Sequence, residues 1–484
     1  MIQHAETQSE LGINWAKWLQ LSAGYYARSS PSNFVTLHSV NTTLMNKTWN
    51  WSLTVALAGF LFGFDTVVIS GANAPIKELW QTSAWFHGVF IMSMALWGTV
   101  LGSLGGGVPT RVWGRKKTLI AVGLLYLISA IGSALAPDPY LFSFFRFLGG
   151  VGVGASTVAA PTYISEISSA QNRGRLVALY QFNIVFGILI AFLSNYLLDG
   201  FGGTNDWRWM LGVEALPAAL YCALIFGIPE SPRWLAVTKG DDKQALRVLE
   251  FILNSSDAAK SELTVIKSHT TGNSVKDSVF NGKFKKPLQL AFLLAFFNQL
   301  SGINFILYYA PVILENAGFA ASDSLLSSIA IGGTNLLFTF AGLYLIDRMG
   351  RKSLMYIGSV GYIVSLLMVS YGFKTGASAE FNLFFILTFI ASHAVGQGAV
   401  IWVFISEIFP NSVRAAGQAW GTGTHWVFAA LITMLGEVVL EAFPGWIIFV
   451  FFAVFMLLQL LFTHFMMPET KGFSLEELQD QLAS

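Results

Sequence analysis

Three ionisable residues stand in stretches otherwise apolar enough to cross a bilayer. Asp65 lies in GFLFGFDTVVISG, residues 59–71, inside an apolar run over 51–72. A carboxylate at that depth costs several kcal/mol if ionised and unpaired, so it calls for a partner or a proton. Arg146 opens RFLGGVGVG and is the only basic residue of the apolar run 140–162. Glu214, in WRWMLGVEALP, is a second membrane-region carboxylate. Such a set suits reversible protonation, with Asp65 loading and releasing a proton and Arg146 as its counter-charge. Glu214 reads either as part of a cytoplasmic charge network or as a proton relay, and is grouped here with the proton-coupling residues. The plain alternative for Asp65 is a polar residue snorkelling to the interface. The long apolar stretch on its N-terminal side argues against that.

A second group of charges recurs. Glu166 and Arg173, in SEISSAQNRG, return as Glu407 and Arg414 in SEIFPNSVRA. Gly114-Arg115-Lys116 returns as Gly350-Arg351-Lys352, the latter preceded by Asp347 in DRMGRK. Pro229-Glu-Ser-Pro-Arg returns loosely as Pro468-Glu-Thr-Lys-Gly. Three matches at nearly one offset argue for a duplication, the parallel repeat of a secondary transporter, with the substrate site at midplane between the halves. The expected role of Glu166, Arg173, Arg115, Asp347, Arg351, Glu407 and Arg414 is gating, through interhelical charge networks between the Glu–Arg motifs and the GRK loops that hold the outward-facing state closed inside. The alternative is solvated loop charge. Gly149, Gly150, Gly152 and Gly154 lack a strand–turn–helix context for phosphate binding. They read as small residues that let helices approach closely in lipid.

The elements that must position these residues are membrane helices. Of 484 residues, 54% are hydrophobic and only 11% charged, against about 25% charged in a soluble domain; the mean hydropathy is +0.58. Twelve apolar spans are expected at 51–72, 86–108, 118–136, 140–162, 176–198, 208–228, 288–314, 324–346, 354–373, 383–406, 416–440 and 446–467. The fold class is therefore an all-α membrane protein, with six-helix bundles over 48–228 and 288–467. One set of short loops carries Arg111, Arg115, Lys116, Lys117, Arg173, Arg175, Arg348, Arg351, Lys352 and Arg414, and the opposite set only Lys77 and Lys374. The positive-inside rule puts the first set, and both termini, in the cytoplasm. Residues 229–287 form a cytoplasmic linker with short helices, one of them presenting Ala245, Val248, Leu249 and Ile252 on one face. A tail helix is expected over 475–482, capped by Ser474 and Glu477. Residues 1–47 read as a disordered cytoplasmic extension, and Met45 as a plausible true start. A net charge of +1 implies no nucleic-acid partner, and the single cysteine, Cys222, excludes an intrachain disulfide. There is no zinc spacing, Walker loop or nucleophile elbow, so an enzyme is the least expected reading, and no metal or cofactor is expected beyond a proton as coupling ion.

The motifs GFLFGFDTVVISG, RFLGGVGVG, PTYISEISSAQNRG, PESPRWL, NQLSGINFILYYAP, DRMGRK, WVFISEIFP and PETKG, in that order, resemble the sugar porters of the major facilitator superfamily, over residues 51–482. The resemblance implies the major facilitator fold and pairing of Asp65 with Arg146 in a proton-coupled porter; facilitators of the family carry an amide at the aspartate. It implies a sugar site of Gln181, Asn298, Gln299, Asn304, Asn335, Trp402 and Trp426. Amides both donate to and accept from sugar hydroxyls, and aromatic rings cover the pyranose C–H face. Asn298 stands where glutamine is usual, His425 where Gln or Asn is common, and Gln397 adds a polar group to the tenth span; His425 and Gln397 join the binding set. Tyr308 and Tyr309 are the expected extracellular gate of a broken seventh helix. In the first half, Arg111 stands where many members are acidic.

The expected function is inner-membrane import of a monosaccharide, D-xylose or a hexose such as glucose or galactose, with a proton by alternating access, by a monomer. Rivals are a polyol or myo-inositol symporter, a sugar facilitator, and a transporter-like sensor, against which the short tail argues. His87, His393 and His464 are assigned to packing.

Overall fold

The computed structural model describes residues 34–169, 172–268, 278–280, 282–410, 412–473 and 477–478. The chain divides into two units, 1–47 and 48–484. Of the first unit, which was expected to be disordered, residues 34–47 are helical and the rest lies outside the described residues. The tail helix and its Ser474–Glu477 cap also lie almost wholly outside them.

Among the described residues of the second unit, twelve helices are long and apolar enough to cross a membrane. The first six are Thr48–Trp80, Ala84–Val112, Arg115–Leu135, Pro139–Ile167, Arg173–Leu198 and Gly203–Ile225. The second six are Gly282–Tyr308, Ala321–Met349, Arg351–Thr375, Ala379–Glu407, Arg414–Ala442 and Gly445–Phe465. They are called the first to twelfth spans below. Each expected apolar run has its helix. Many helices overrun the run by a turn or more, because residues too polar to register as membrane sequence still continue the backbone ladder; the first runs on through Pro75 to Trp80. The end that bears the Arg115 and Arg351 loops is called the basic end.

Two interruptions matter for the site. The seventh span breaks at Gly302, whose φ of +88° is left-handed, and a Cβ there would meet the Phe452 ring at 2.8 Å. Only glycine fits both demands. The tenth span breaks at Gly396 (φ −83°, ψ −103°), and a second helical segment starts at Gln397. Small residues set the helix spacing: a Cβ on Gly150 would lie 1.8 Å from the Ala95 carbonyl, so the second and fourth spans pack backbone against backbone.

One apolar core, with Leu61, Tyr126, Tyr163 and Tyr221, belongs to the first half. A larger one joins Phe64, Ile91 and Leu96 of the first half to Ile306, Tyr309 and Trp426 of the second. The linker forms two helices where one was singled out, Asp242–Leu253 and Ser256–Ser268. Ala245 and Leu249 are buried on the expected face, and Phe251 stacks on Trp51 at 5.0 Å. Asp241 caps the first helix by accepting from the Gln244 amide at 3.0 Å. That bond and the Lys239 ammonium hold its carboxyl below the usual range.

Candidate functional site

Asp65 and Arg146 meet inside the first bundle. An Arg146 Nη pairs with the Asp65 carboxylate, and the other Nη donates to the Asp65 backbone carbonyl at 3.0 Å. Their side chains are 3% and 2% exposed, so water contributes almost nothing to holding either charge. Glu214, 2% exposed, lies within electrostatic range of both Asp65 and Arg146. One of its carboxylate oxygens has no partner. This corrects the expectation of a cytoplasmic network for Glu214: the midpoint of the sixth span faces the bundle interior, not the loops. Two carboxyls and one guanidinium therefore share one dry site. Full ionisation leaves one uncompensated negative charge, and one proton removes it. Tyr308 of the seventh span is within electrostatic range of both Arg146 and Asp65, which brings the second half to this site.

A second cluster lies in the second half. Gln299 is its hub: its Nε2 donates to Asn298 Oδ1 at 3.0 Å, and its Oε1 accepts from Asn304 Nδ2 at 2.7 Å. The His425 ring nitrogens stand 3.2 and 3.1 Å from Gln299 Nε2. The break at Gly302 makes this possible, since it folds Asn304 back toward Gln299. The His425 ring lies 4.9 Å from Trp402 and 4.8 Å from Trp426. Phe62 of the first span reaches across to Trp426 at 5.6 Å. Trp426 Nε1 is buried with no acceptor, a donor aimed at nothing in the protein. Adjacent amides that both donate and accept, flanked by indole faces, match what a polyhydroxylated ring demands.

The other sequence-predicted residues divide. Gln181 is half-buried on the fifth span and Asn335 buried on the eighth, with no hydrogen bond tying either to the Gln299 cluster. Gln397 is a correction. It is fully buried, bonds to Gln459 and accepts from Tyr362 Oη at 3.3 Å. It lies in a polar chain that continues from Gln459 to Ser359 at 2.8 Å. Five residues of helix turn its side chain roughly 140° away from Trp402, so the two cannot face one site. His393 joins the same chain through Tyr362 at 2.5 Å. His87 bonds Asn73 at 2.7 Å and Thr82 at 2.8 Å, and His464 bonds Tyr356 at 2.9 Å; all three histidines are wired, not merely packed. Tyr308 and Tyr309 are buried, and Tyr309 Oη donates to the Thr433 carbonyl at 2.8 Å.

At the basic end, Glu166 pairs with Arg115 at 2.7 Å and accepts from Ser231 at 2.6 Å. Glu407 pairs with Arg351 at 2.8 Å and accepts from Thr470 at 2.6 Å. Asp347 reaches Arg351 only at 3.5 Å and is 82% exposed. Arg173 and Arg414 do not meet the acids seven residues before them: each donates to a backbone carbonyl, of Ser165 and Phe409, at 3.2 Å. The expected networks with the GRK loops are therefore present for the two acids, while Arg173 and Arg414 stand outside them, because the helix ends between acid and base. Sequence reasoning also missed Glu230 and Glu469. Glu230 accepts the Arg115 and Lys116 amides at 3.0 and 3.1 Å. Glu469 accepts those of Arg351 and Lys352 at 2.9 and 3.0 Å. Each acid thus sits on a helix N-terminus, where anions are favoured. The recurrence of Pro-Glu in the repeat was the available signal.

The family model described as "Sugar (and other) transporter" matches residues 51–482. The arabinose-proton symporter of Bacillus subtilis is 35% identical, over 88% of this chain and 93% of that protein. The galactose-proton symporter of Escherichia coli is also 35% identical, over 88% and 92%. The partially occluded inward-open structure of the E. coli xylose transporter XylE superposes with a TM-score of 0.79 at 30% identity, over 88% of this chain and 99% of that one. With its twelve spans and paired charge motifs, the chain belongs to the sugar transporter family of the major facilitator superfamily.

Proposed function

We propose that this protein imports a monosaccharide together with a proton by alternating access, as a multi-pass inner-membrane carrier whose basic end and both termini face the cytoplasm. The observation that carries the proton is the buried set of Asp65, Arg146 and Glu214, in which two carboxyls face one guanidinium. The sugar is read from the Asn298–Gln299–Asn304–His425 cluster between Trp402 and Trp426. Arabinose, galactose and xylose transporters among the relatives support the monosaccharide class, with D-xylose, glucose and galactose as first substrates to test. One chain supplies every group the cycle uses, so a monomer suffices.

In the cycle, ionised Asp65 pairs with Arg146. A proton arriving from outside neutralises the carboxyl, and Arg146 loosens. Sugar then binds between the halves against the Gln299 cluster, the outer end closes and the basic end opens. The cytoplasm takes the proton, and the empty carrier returns. The test is uptake of labelled sugars into proteoliposomes, with and without an inward proton gradient. With one proton per sugar, a gradient of one pH unit sustains about tenfold accumulation. Uptake that an uncoupler leaves unchanged overturns symport in favour of the facilitator.

A further inference from the structure

Most of the positive charge that the sequence places in short loops belongs to the basic end, yet that end is not where the halves are tied. Arg115–Glu166 lies within the first half and Arg351–Glu407 within the second. Among the described residues, the ion pairs that join the two halves are those of Lys77, at the opposite end. Its Nζ reaches Glu437 Oε1 at 2.6 Å and also bonds the Glu441 carboxylate. Lys77 is on the last turn of the first span, and the two acids are one turn apart on the eleventh. Packing around them is tight. A Cβ on Gly88 would lie 2.0 Å from the Met434 carbonyl, and one on Gly436 would enter the Tyr309 ring at 2.3 Å.

We propose that Lys77, Glu437 and Glu441 are positioning residues of the transport cycle: a latch that closes the end opposite the basic one and must break each time that end opens. The inference rests on the alternating-access reading above. The side chain of Glu437 is 7% exposed and that of Lys77 29%, against 53% for Glu441. Closure therefore buries one carboxylate against the ammonium and leaves the other at the rim. The second oxygen of Glu437 is buried without a partner, so Lys77 is what makes that burial tolerable. Without the ammonium, two carboxylates one turn apart repel each other, and one of them is left buried and unpaired. The closed arrangement then loses population to the open one.

The measurement is a spin-label distance between Leu79→Cys and Phe443→Cys, in a Cys222→Ser background. Both positions are exposed, close to the latch, and on opposite halves. It needs neither sugar nor a proton gradient, so it reports on the latch even if symport fails, and a transport result cannot stand in for it. The latched protein is expected to show mainly the short distance. Lys77→Met should raise the ratio of long to short at least about tenfold. Lys77→Arg should keep the short distance, and Glu441→Gln should shift the ratio only about two- to threefold, because that acid is largely solvated. The charge swap Lys77→Glu with Glu437→Lys should restore the short distance, which a role in packing alone would not do. An unchanged distribution in Lys77→Met, or a swap that stays open, overturns the latch. Should Lys77→Met fail to fold, Lys77→Arg and the swap decide in the same way.

Discussion

Neutralising Asp65 and Glu214 singly and then together tests the charge count at the buried site. Arg146 is 2% exposed and stays cationic at any working pH. It needs one anion beside it. In Asp65→Asn, Glu214 is the remaining acid within electrostatic range and must stay ionised to supply that anion. In Glu214→Gln, Asp65 must do so. Either single variant is thus electroneutral and should fold with a loss of no more than about 1–2 kcal/mol. Neither has a proton left to give up. Accumulation driven by one pH unit should fall from about tenfold to none, while exchange of internal for external sugar survives, since exchange does not require the empty, deprotonated carrier to return. The double variant removes both anions and strands a buried guanidinium, at a cost of about 3–5 kcal/mol. The assays are proton-driven uptake and counterflow from one preparation, with denaturant unfolding of the three variants alongside. A single variant that still accumulates sugar refutes the assignment of the proton to this pair. A double variant as stable as the singles refutes the charge count itself.

Gln299→Ala removes the hub that links Asn298, Asn304 and His425. Sugar affinity measured by calorimetry should fall roughly ten- to a hundredfold, the worth of about 1–3 kcal/mol for unpaired buried hydroxyls; an unchanged Kd would remove it from the site. Gln397→Ala should instead leave that Kd within about twofold while lowering unfolding stability by about 1–3 kcal/mol, because it orphans Gln459 and Tyr362. A large affinity loss would return Gln397 to the sugar site. Gly150→Ala should cost about 1–3 kcal/mol by overpacking, or more where the backbone cannot move, since its methyl would meet the Ala95 carbonyl. A glycine variant as stable as the parent in thermal unfolding would mean that the second and fourth spans have room to spare.

Hydropathy is a local property, which is why the amino-acid sequence by itself determined the twelve spans and, through the recurring Glu and GRK motifs, the two halves. The cost of a charge in lipid is local as well, so Asp65 and Arg146 stood out without any structure. Pairing across distance is not local. The recurring motifs pointed the acids at the GRK loops, but Arg115 and Glu166 are 51 residues apart, and only the packing of the third span on the fourth makes that pair and leaves Arg173 out of it. Glu214 looked the same in sequence whether it faced the loops or the bundle interior; the rotation of the sixth span chose the interior. Gln397 and Trp402 share one helix, five residues and roughly 140° apart, and the packing of that helix gave the site to Trp402 and the core to Gln397. Lys77 and Glu437, 360 residues apart, carry no motif at all. Their meeting depends on which end of two pseudo-symmetric bundles is closed, and that is a property of the arrangement of the halves, set by side-chain packing between them and not by any stretch of chain.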